Sequence, residues 1–377
     1  MNTTLDTSVR LFASPGAWME GEAVRQLYAA ARLHGVRQAV GFPDLHPGRG
    51  VPVGAAFVTS DVIYPHLIGG DIGCGMALWK TDLLRRKAKL DRWSGLRFDL
   101  QHPWEGNVAG WLQDFQVPAT GLDHELGTIG GGNHFAELQA VECVLDDAEF
   151  EMLGLNREQL VLLVHSGLRG YGHSILFEHA AQHGGEAVSP SSDAGTVYYL
   201  RHHDLALRWA RANRARIAHR FLTALGAEGQ CAWGGCHNRV SAKDSAEGTV
   251  WIHRKGAVAA DAGPVVIAGT RGSLSYLVKP VGDGESHAWS LAHGAGRKWS
   301  RSESRLRARE RHRVAELAQT PLGGRVICEP RDLLYEEAPM AYKPIKSVIR
   351  ALEDAGLVEV IATLRPLLTC KTRAVRR

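Results

Sequence analysis

The sequence predicts a mixed α/β fold, α+β in its ordering rather than a doubly wound sheet. Three observations carry this. Short apolar runs rich in Val, Ile and Leu recur at strand length, two longer stretches repeat apolar residues with helical spacing, and the two kinds of element alternate without a βαβ rhythm. The chain has 377 residues, 45% hydrophobic and 22% charged, which is enough to bury a large core. It reads as one domain over 1–377, with a basic segment at 297–313 and a short basic tail at 372–377.

The opening stretch, MNTTLDTSVRLFASPGAWMEGEA, lacks the uninterrupted apolar core of a signal peptide. Every later apolar run is broken by charge or glycine before it reaches membrane-spanning length. A first helix is predicted over 21–34, where Val24, Leu27, Tyr28 and Ala31 follow i, i+3, i+4, i+7 spacing and Gly35 offers a stop. A longer helix is predicted over 204–225, ending at Gly226, with Ala206, Trp209, Ala210, Asn213, Ile217 and Phe221 on one face and Arg208 and Arg211 off it. Asn213 is the polar exception in that stripe. It either satisfies a buried backbone group or faces a polar site.

Strands are predicted at 159–164, 249–252, 264–267 and 274–278. Two of them run into Gly-rich turns, HSGLRGYG and AGTRG, which places small polar motifs at strand ends, where loops build sites. The six cysteines, at 74, 143, 231, 236, 328 and 370, are scattered through the chain and fit a reduced, cytoplasmic protein better than a disulfide scaffold. Cys231 and Cys236, followed by His237, lack the second ligand pair a zinc finger needs. Net charge is only +4, but RKWSRSESRLRARERHR and the closing RAVRR concentrate arginine. Such clusters serve either phosphate backbones or solvated faces.

Several motifs bear ligand-type side chains. GGDIGCGM, at 69–76, sets Asp71 and Cys74 among glycines, so both can converge on one small object. A thiolate beside a carboxylate is a metal pair, and one sulfur can bridge two ions; a structural cysteine near a turn aspartate is the equal alternative. GTIGGGNHFAEL offers Asn133, His134 and Glu137, LVLLVHSGLRG offers His165 and Arg169, and GGCHNRV offers His237 and Asn238. One histidine among 18 is more often structural than a ligand, but three of them with Asp71 and Cys74 suffice for two ions sharing a cysteine. SHAWSLAHGAGRKWSR is different. There His293 precedes Gly-Ala-Gly and then Arg297 and Arg301, so a bulky partner can reach the imidazole and arginines can meet its phosphates. Neutral imidazole is a nucleophile toward phosphorus; a solvent-facing histidine in a glycine loop is the competing account.

Taken in order, these motifs resemble the RtcB family of GTP-dependent RNA ligases. The pieces are FPDLHPGRG (42–50), DIGCGM, GTIGGGNHF, VHSGLRG, CHN, HRKGA (253–257), AGTRGSLSY (268–276), HGAGRKWSR and PMAYK (339–343), with VEVIATLRPLL near the end. The resemblance runs from Phe42 to Lys371 and is far more specific than any lone motif. It implies mixed β-sheets surrounded by helices around a central metal site. It places two manganese ions on Asp71, Cys74, His134, His165 and His237, with Cys74 as the bridge, and makes His293 the guanylylated residue, oriented by Asp44. It assigns Asn133, Glu137, Gly294, Ala295, Gly296, Tyr342 and Lys371 to the nucleotide, and Arg169, Lys255, Arg297 and Arg301 to phosphate or RNA ends. Ligand softness alone would suggest zinc or iron, so manganese comes from the resemblance.

The implied reaction uses GTP to guanylylate His293 and opens a 2′,3′-cyclic phosphate to a 3′-phosphate. The guanylate then passes to that phosphate, and a 5′-hydroxyl displaces GMP. The implied partners are broken tRNA or rRNA ends and no membrane. Shorter family members are encoded beside a release-factor-like protein, a setting compatible with this chain's length and one that would supply an activating partner.

The chain also departs from the family. Ala268 and Arg271 stand where the usual loop reads PGSMG, Ala292 replaces a serine before the HGAGR histidine, and the stretch between DIGCGM and GTIGGGNHF is short. These bear on substrate and nucleotide contacts. A metallo-phosphodiesterase that does not need His293, or a non-catalytic RNA-binding protein on the same scaffold, are the rival classes.

Overall fold

The computed structural model describes residues 7–121, 123–167, 169–183, 187–189, 194–245 and 248–373. Its strands in chain order are β1 (Ser8–Leu11), β2 (Val36–His46), β3 (Val53–Ser60), β4 (Gly75–Leu84), β5 (Phe135–Val144), β6 (Gln159–Ser166), β7 (Gly229–Cys236), β8 (Asn238–Ser245), β9 (Gly248–Lys255), β10 (Ala257–Ala259), β11 (Val265–Ile267), β12 (Ser275–Pro280), β13 (Ser290–Ala292), β14 (Arg325–Cys328) and β15 (Val358–Lys371). They form a five-stranded sheet ordered β1-β2-β3-β9-β8, an eight-stranded sheet running β11-β12-β15-β5-β6-β4-β7 with β14 beside β15, and the pair β10-β13. Strand pairing is antiparallel except at β1–β2 and β14–β15. The chain is thus mixed α/β, without the parallel sheet of a doubly wound fold.

Both large sheets are apolar on both faces, which explains why strand segments such as LVLLV read as continuous apolar runs. On β6, Leu160, Leu162 and Val164 pack with Ile217, Phe221 and Leu222 of the helix Ala194–Leu225. The alternate residues Val161 and Leu163 face Met76, Leu78, Leu277 and Ile361. The five-stranded sheet holds the helix Gly21–Ala31 on one face through Leu27, Phe57 and Ala55. Its other face packs Phe42, Val58 and Ile252 against Ile349 and Leu352 of the helix Ile345–Asp354.

The four predicted strands are all present, as β6, β9, β11 and β12. The first helix is shorter than expected, and its buried residues are Ala23, Leu27, Ala30 and Ala31. Tyr28 is 49% exposed, because the core-facing stripe lies one residue to its side. The long helix starts at Ala194 rather than at residue 204. Asp204 lies within the helix, where its carboxylate meets the neighbouring His203 ring at 3.0 Å. The whole stripe from Ala206 to Phe221 is buried. Asn213 within it accepts from Gly127 N at 2.7 Å and donates to Thr128 O at 3.1 Å, so it satisfies buried backbone.

A second departure is the helix Arg169–His183, where the sequence reads as a turn. Gly172 lies in it because a Cβ there would stand 2.4 Å from Gly70 O, so only glycine lets this helix touch the 69–74 loop. Among the described residues no helix is long and apolar enough to cross a membrane. Of the tail 372–377, the last four residues lie outside the described residues.

Candidate active site

Four neighbouring strands of the large sheet present their ligand-type residues at one end. Cys74 precedes β4, His134 precedes β5, His165 is the penultimate residue of β6 and His237 follows β7. The register aligns them: Met76 and Phe135 both pair with His165, and Gly75 pairs with Cys236. By strand alternation Cys74 and His165 continue the apolar rows Met76–Leu78 and Val161–Leu163, so the polar cluster is the rim of a hydrophobic core.

Two donor sets share one sulfur. Cys74, His165 and His237 form one, Asp71, Cys74 and His134 the other, with the donor atoms of each within 4.8 Å of one another. Cys74 Sγ lies 3.3 Å from His134 Nε2 and 3.4 Å from His165 Nε2, and His165 Nε2 lies 3.3 Å from His237 Nε2. Burial holds both His165 and His237 well below the ordinary imidazole range; His134 and His293 add to it for His165, and His293 and His165 for His237. Both rings are therefore neutral, the form that ligates metal. His134 is fixed through Nδ1 at 3.0 Å from Ile129 O.

The long helix braces this loop with a residue the sequence did not single out. Arg214, 3% exposed, donates to Gly73 O and Ser166 O, both at 2.9 Å. Cys236 faces this same guanidinium at 3.4 Å rather than the donor sets. Asn238 ties two loops, donating to Asp71 O at 3.1 Å and accepting from Gly256 N at 2.8 Å.

His293 adjoins the cluster, its ring centroid 4.6 Å from that of His237. Its Nδ1 lies 2.8 Å from Asp44 Oδ2, off the line of an Nδ1–H, and a rotation of the ring would complete the hydrogen bond. Asp44 is fully buried. Gly294, Ala295 and Gly296 follow His293 along the wall of a cavity of about 1100 Å³. His134 and Asp44 stand behind that wall; the remaining metal-type donors, Asn133, Glu137, Lys255, Arg297, Arg301, Tyr342 and Lys371 all line it. The side chain of Arg169 lies outside the described residues.

One end of the cavity is densely hydrogen-bonded. Burial raises the Glu137 carboxyl, tempered by Thr369 at 2.6 Å and Gln139 at 2.7 Å. Lys371 donates to His134 O at 2.9 Å, and burial lowers its ammonium to about 8. Glu337, which the sequence reading passed over, accepts from Tyr342 and from Arg297 at 3.1 Å and Arg301 at 3.4 Å. Burial works to raise its carboxyl, but Lys371, Arg297 and Arg301 outweigh that and hold it low. Arg297 also donates to Glu336 O and Trp299 O, so its donors are spent on protein. Arg301 keeps half its side chain exposed. Across the cavity, burial lowers Lys255 to about 8.

The departures from the resembled motifs are accommodated locally. Arg271 is buried and donates to Glu337 O at 2.5 Å and Leu334 O at 2.9 Å. Ala292 is fully buried in the apolar cluster around β13, where a hydroxyl would need a partner. Ala268 N donates to His293 O at 3.2 Å.

In comparisons with known proteins, the chain matches the family model described as tRNA-splicing ligase RtcB over residues 26–114 and 113–372. It is 45% identical over 371 residues to RNA-splicing ligase RtcB2 of Escherichia coli, covering 97% of this chain and 96% of that protein. It is 30% identical to RNA-splicing ligase RtcB of Escherichia coli K12, covering 98% of each. Similarity extends to the tRNA-splicing ligase RtcB of Pyrobaculum aerophilum, at 27% identity over 88% of this chain and 87% of that protein.

Proposed function

The chain belongs to the RtcB family of RNA-splicing ligases, and on that premise we propose that it seals a 2′,3′-cyclic phosphate or 3′-phosphate RNA end to a 5′-hydroxyl end through a guanylate carried on His293. It is an RNA ligase; the guanylate, the ends and the metal are the finer reading. What supports that reading most is one adjacency: His293, backed by Asp44, stands beside two donor sets that share Cys74.

The residues present fit a pair of divalent ions. Each donor set offers three ligand atoms, His165 and His237 are neutral, and a thiolate can serve both sets. When bound, such ions supply Lewis-acid neutralisation of phosphate charge. Manganese rests on the family likeness, since thiolate softness favours zinc or iron.

With Nδ1 turned to Asp44, the free lone pair of His293 is on Nε2. Nε2 bonds to the α-phosphorus of GTP as the bond from that phosphorus to its bridging oxygen breaks, and pyrophosphate leaves with the electron pair. Asp44 then faces a ring carrying positive charge and stabilises it. An RNA 3′-phosphate takes the guanylate from Nε2, and a 5′-hydroxyl displaces GMP. Glu137, Tyr342 and Lys371 form the end of the cavity suited to the guanine base, Asn133 lies beside it, and the 294–296 loop is suited to phosphate. Arg301, half exposed, and Lys255 suit RNA phosphates better than Arg297, whose donors are engaged. The scattered cysteines suit a reducing compartment, and the cytoplasm is the proposed setting.

Incubating the protein with GTP labelled at the α-phosphate and Mn²⁺ tests this directly. Label should remain on the protein through alkali and leave in acid, as a P–N bond to imidazole requires. No label under these conditions, with cyclic-phosphate opening intact, would favour a phosphodiesterase instead.

A further inference from the structure

Asp44 lies where its strand leaves the sheet. β2 and β3 pair as far as Gly41↔Ala55 and meet again only at His46↔Val53. The peptide groups on either side of Asp44 therefore lack the ladder that would fix them, and buried backbone carbonyls need other donors. Lys343 provides them. Its Nζ donates to Pro43 O and to Leu45 O, both at 2.8 Å, so one ammonium grips the carbonyls that flank the aspartate.

The same residue holds the other half of the pair. Lys343 N donates to Gly296 O at 2.9 Å, in the loop that follows His293. That loop passes so close to Asp44 that a Cβ on Gly296, at φ +69°, would stand 2.2 Å from Asp44 O. Side chain and backbone of one residue thus join the aspartate's segment to the histidine's loop. Lys343 is 7% exposed and lies outside the cavity lining. A buried ammonium is costly where packing alone is needed, and an apolar residue would serve that purpose better. Burial lowers its ammonium to about 8, with Asp44 as the opposing influence.

We propose that Lys343 is a positioning residue for His293: by gripping the two carbonyls beside Asp44 while tying down Gly296, it sets the carboxylate against Nδ1 and so keeps Nε2 as the reactive nitrogen. This rests on the reading that His293 carries the nucleotide.

The test uses the full chain with Lys343→Met, Lys343→Arg and Lys343→Gln. In single-turnover labelling with α-labelled GTP and saturating Mn²⁺, Lys343→Met should slow labelling about 100-fold, the scale expected when a reacting group is misplaced by about an ångström. The GTP concentration for half-saturation should change less than about threefold, since no nucleotide contact is lost. Lys343→Arg should recover much of the rate, because a guanidinium can donate to both carbonyls. The ¹⁵N spectrum of the His293 ring, assigned by its loss in His293→Ala, supplies a readout that a merely structural role would not move. It should show one tautomer in the native chain and a mixture in Lys343→Met.

Native labelling rate and an unchanged ring spectrum in Lys343→Met would overturn the proposal. If Lys343→Met does not fold, Lys343→Gln carries the same two measurements, and slowed labelling without a tautomer change would overturn it equally. Should the native chain take no label, the nucleotide reading fails on its own, and the His293 spectrum alone decides the role of Lys343.

Discussion

The Asp44 carboxylate lies 2.8 Å from His293 Nδ1, although 249 residues separate the two in sequence. It also accepts from the His293 backbone N at 3.3 Å, so one acid holds the peptide that carries the ring and lies within reach of the ring itself. His293→Ala should abolish protein labelling and RNA joining while still binding metal, because His293 belongs to neither donor set. Asp44→Asn should keep the fold and slow labelling about 100-fold by releasing the ring's tautomer. Joining retained by His293→Ala would reject the nucleophile.

Cys74 is common to both donor sets, whereas His237 belongs to one. Cys74→Ser should therefore weaken metal binding at both positions, and His237→Ala at one much more than the other. Calorimetric titration with Mn²⁺ measures this; two native-like sites in Cys74→Ser would remove the shared-thiolate account. Chelation should lower the melting temperature, since an ion present at about 100 times its Kd contributes about 2.7 kcal/mol to the folded state.

Of the arginines in the helix Arg301–Arg311, Arg301 lines the cavity and shares Glu337 with Arg297, whereas Arg305, Arg307 and Arg309 lie outside the cavity lining. Arg305 lies 3.7 Å from Glu336, Arg307 3.9 Å from Glu303 and Arg309 2.5 Å from Asp332, so each charge is already partly balanced. RNA affinity should fall steeply with salt, and Arg301→Ala should reduce the slope by about 1. Neutralising Arg305, Arg307 and Arg309 together should change it less than three unpaired phosphate contacts would. A drop of about 3 in the slope of the triple variant would make this helix face an RNA track.

Asn213 accepts from Gly127 N and donates to Thr128 O and Ser166 Oγ from a site 2% exposed. Asn213→Ala takes away the partner of the buried Gly127 N–H, while Ser166 Oγ keeps Ile129 O, and should destabilise the chain by about 1–3 kcal/mol. Equilibrium urea unfolding measures it. A loss below about 0.5 kcal/mol would mean that water reaches Gly127 and replaces the amide.

The strands and the long helix stripe were legible because apolar spacing is local. The helix Arg169–His183 was not, because its two glycines read as a turn until Gly70 is seen packed against Gly172. Cys74, His134, His165 and His237 could be marked by residue type and flanking glycines, and Asp44 and His293 by the run of family-like motifs. Arg214, Glu337 and Lys343 could not. Each acts through backbone carbonyls or other side chains brought near by tertiary folding, and nothing in their own neighbourhood announces that. PMAYK was visible as a motif, but the grip of its lysine on Pro43 O and Leu45 O spans about three hundred residues.

The alignment of donors at one end of β5, β6, β4 and β7 has a consequence for misfolded molecules. A slip of β6 by one residue would turn His165 to the opposite face and bring Val164 or Ser166 into its place. Such a molecule could bury nearly as much apolar surface, because both faces of the strand are hydrophobic, so packing alone discriminates poorly against it. It would lack the Cys74–His165–His237 set, and a divalent ion would not stabilise it. An ion bound by that set would therefore favour the correctly registered strand over a slipped one.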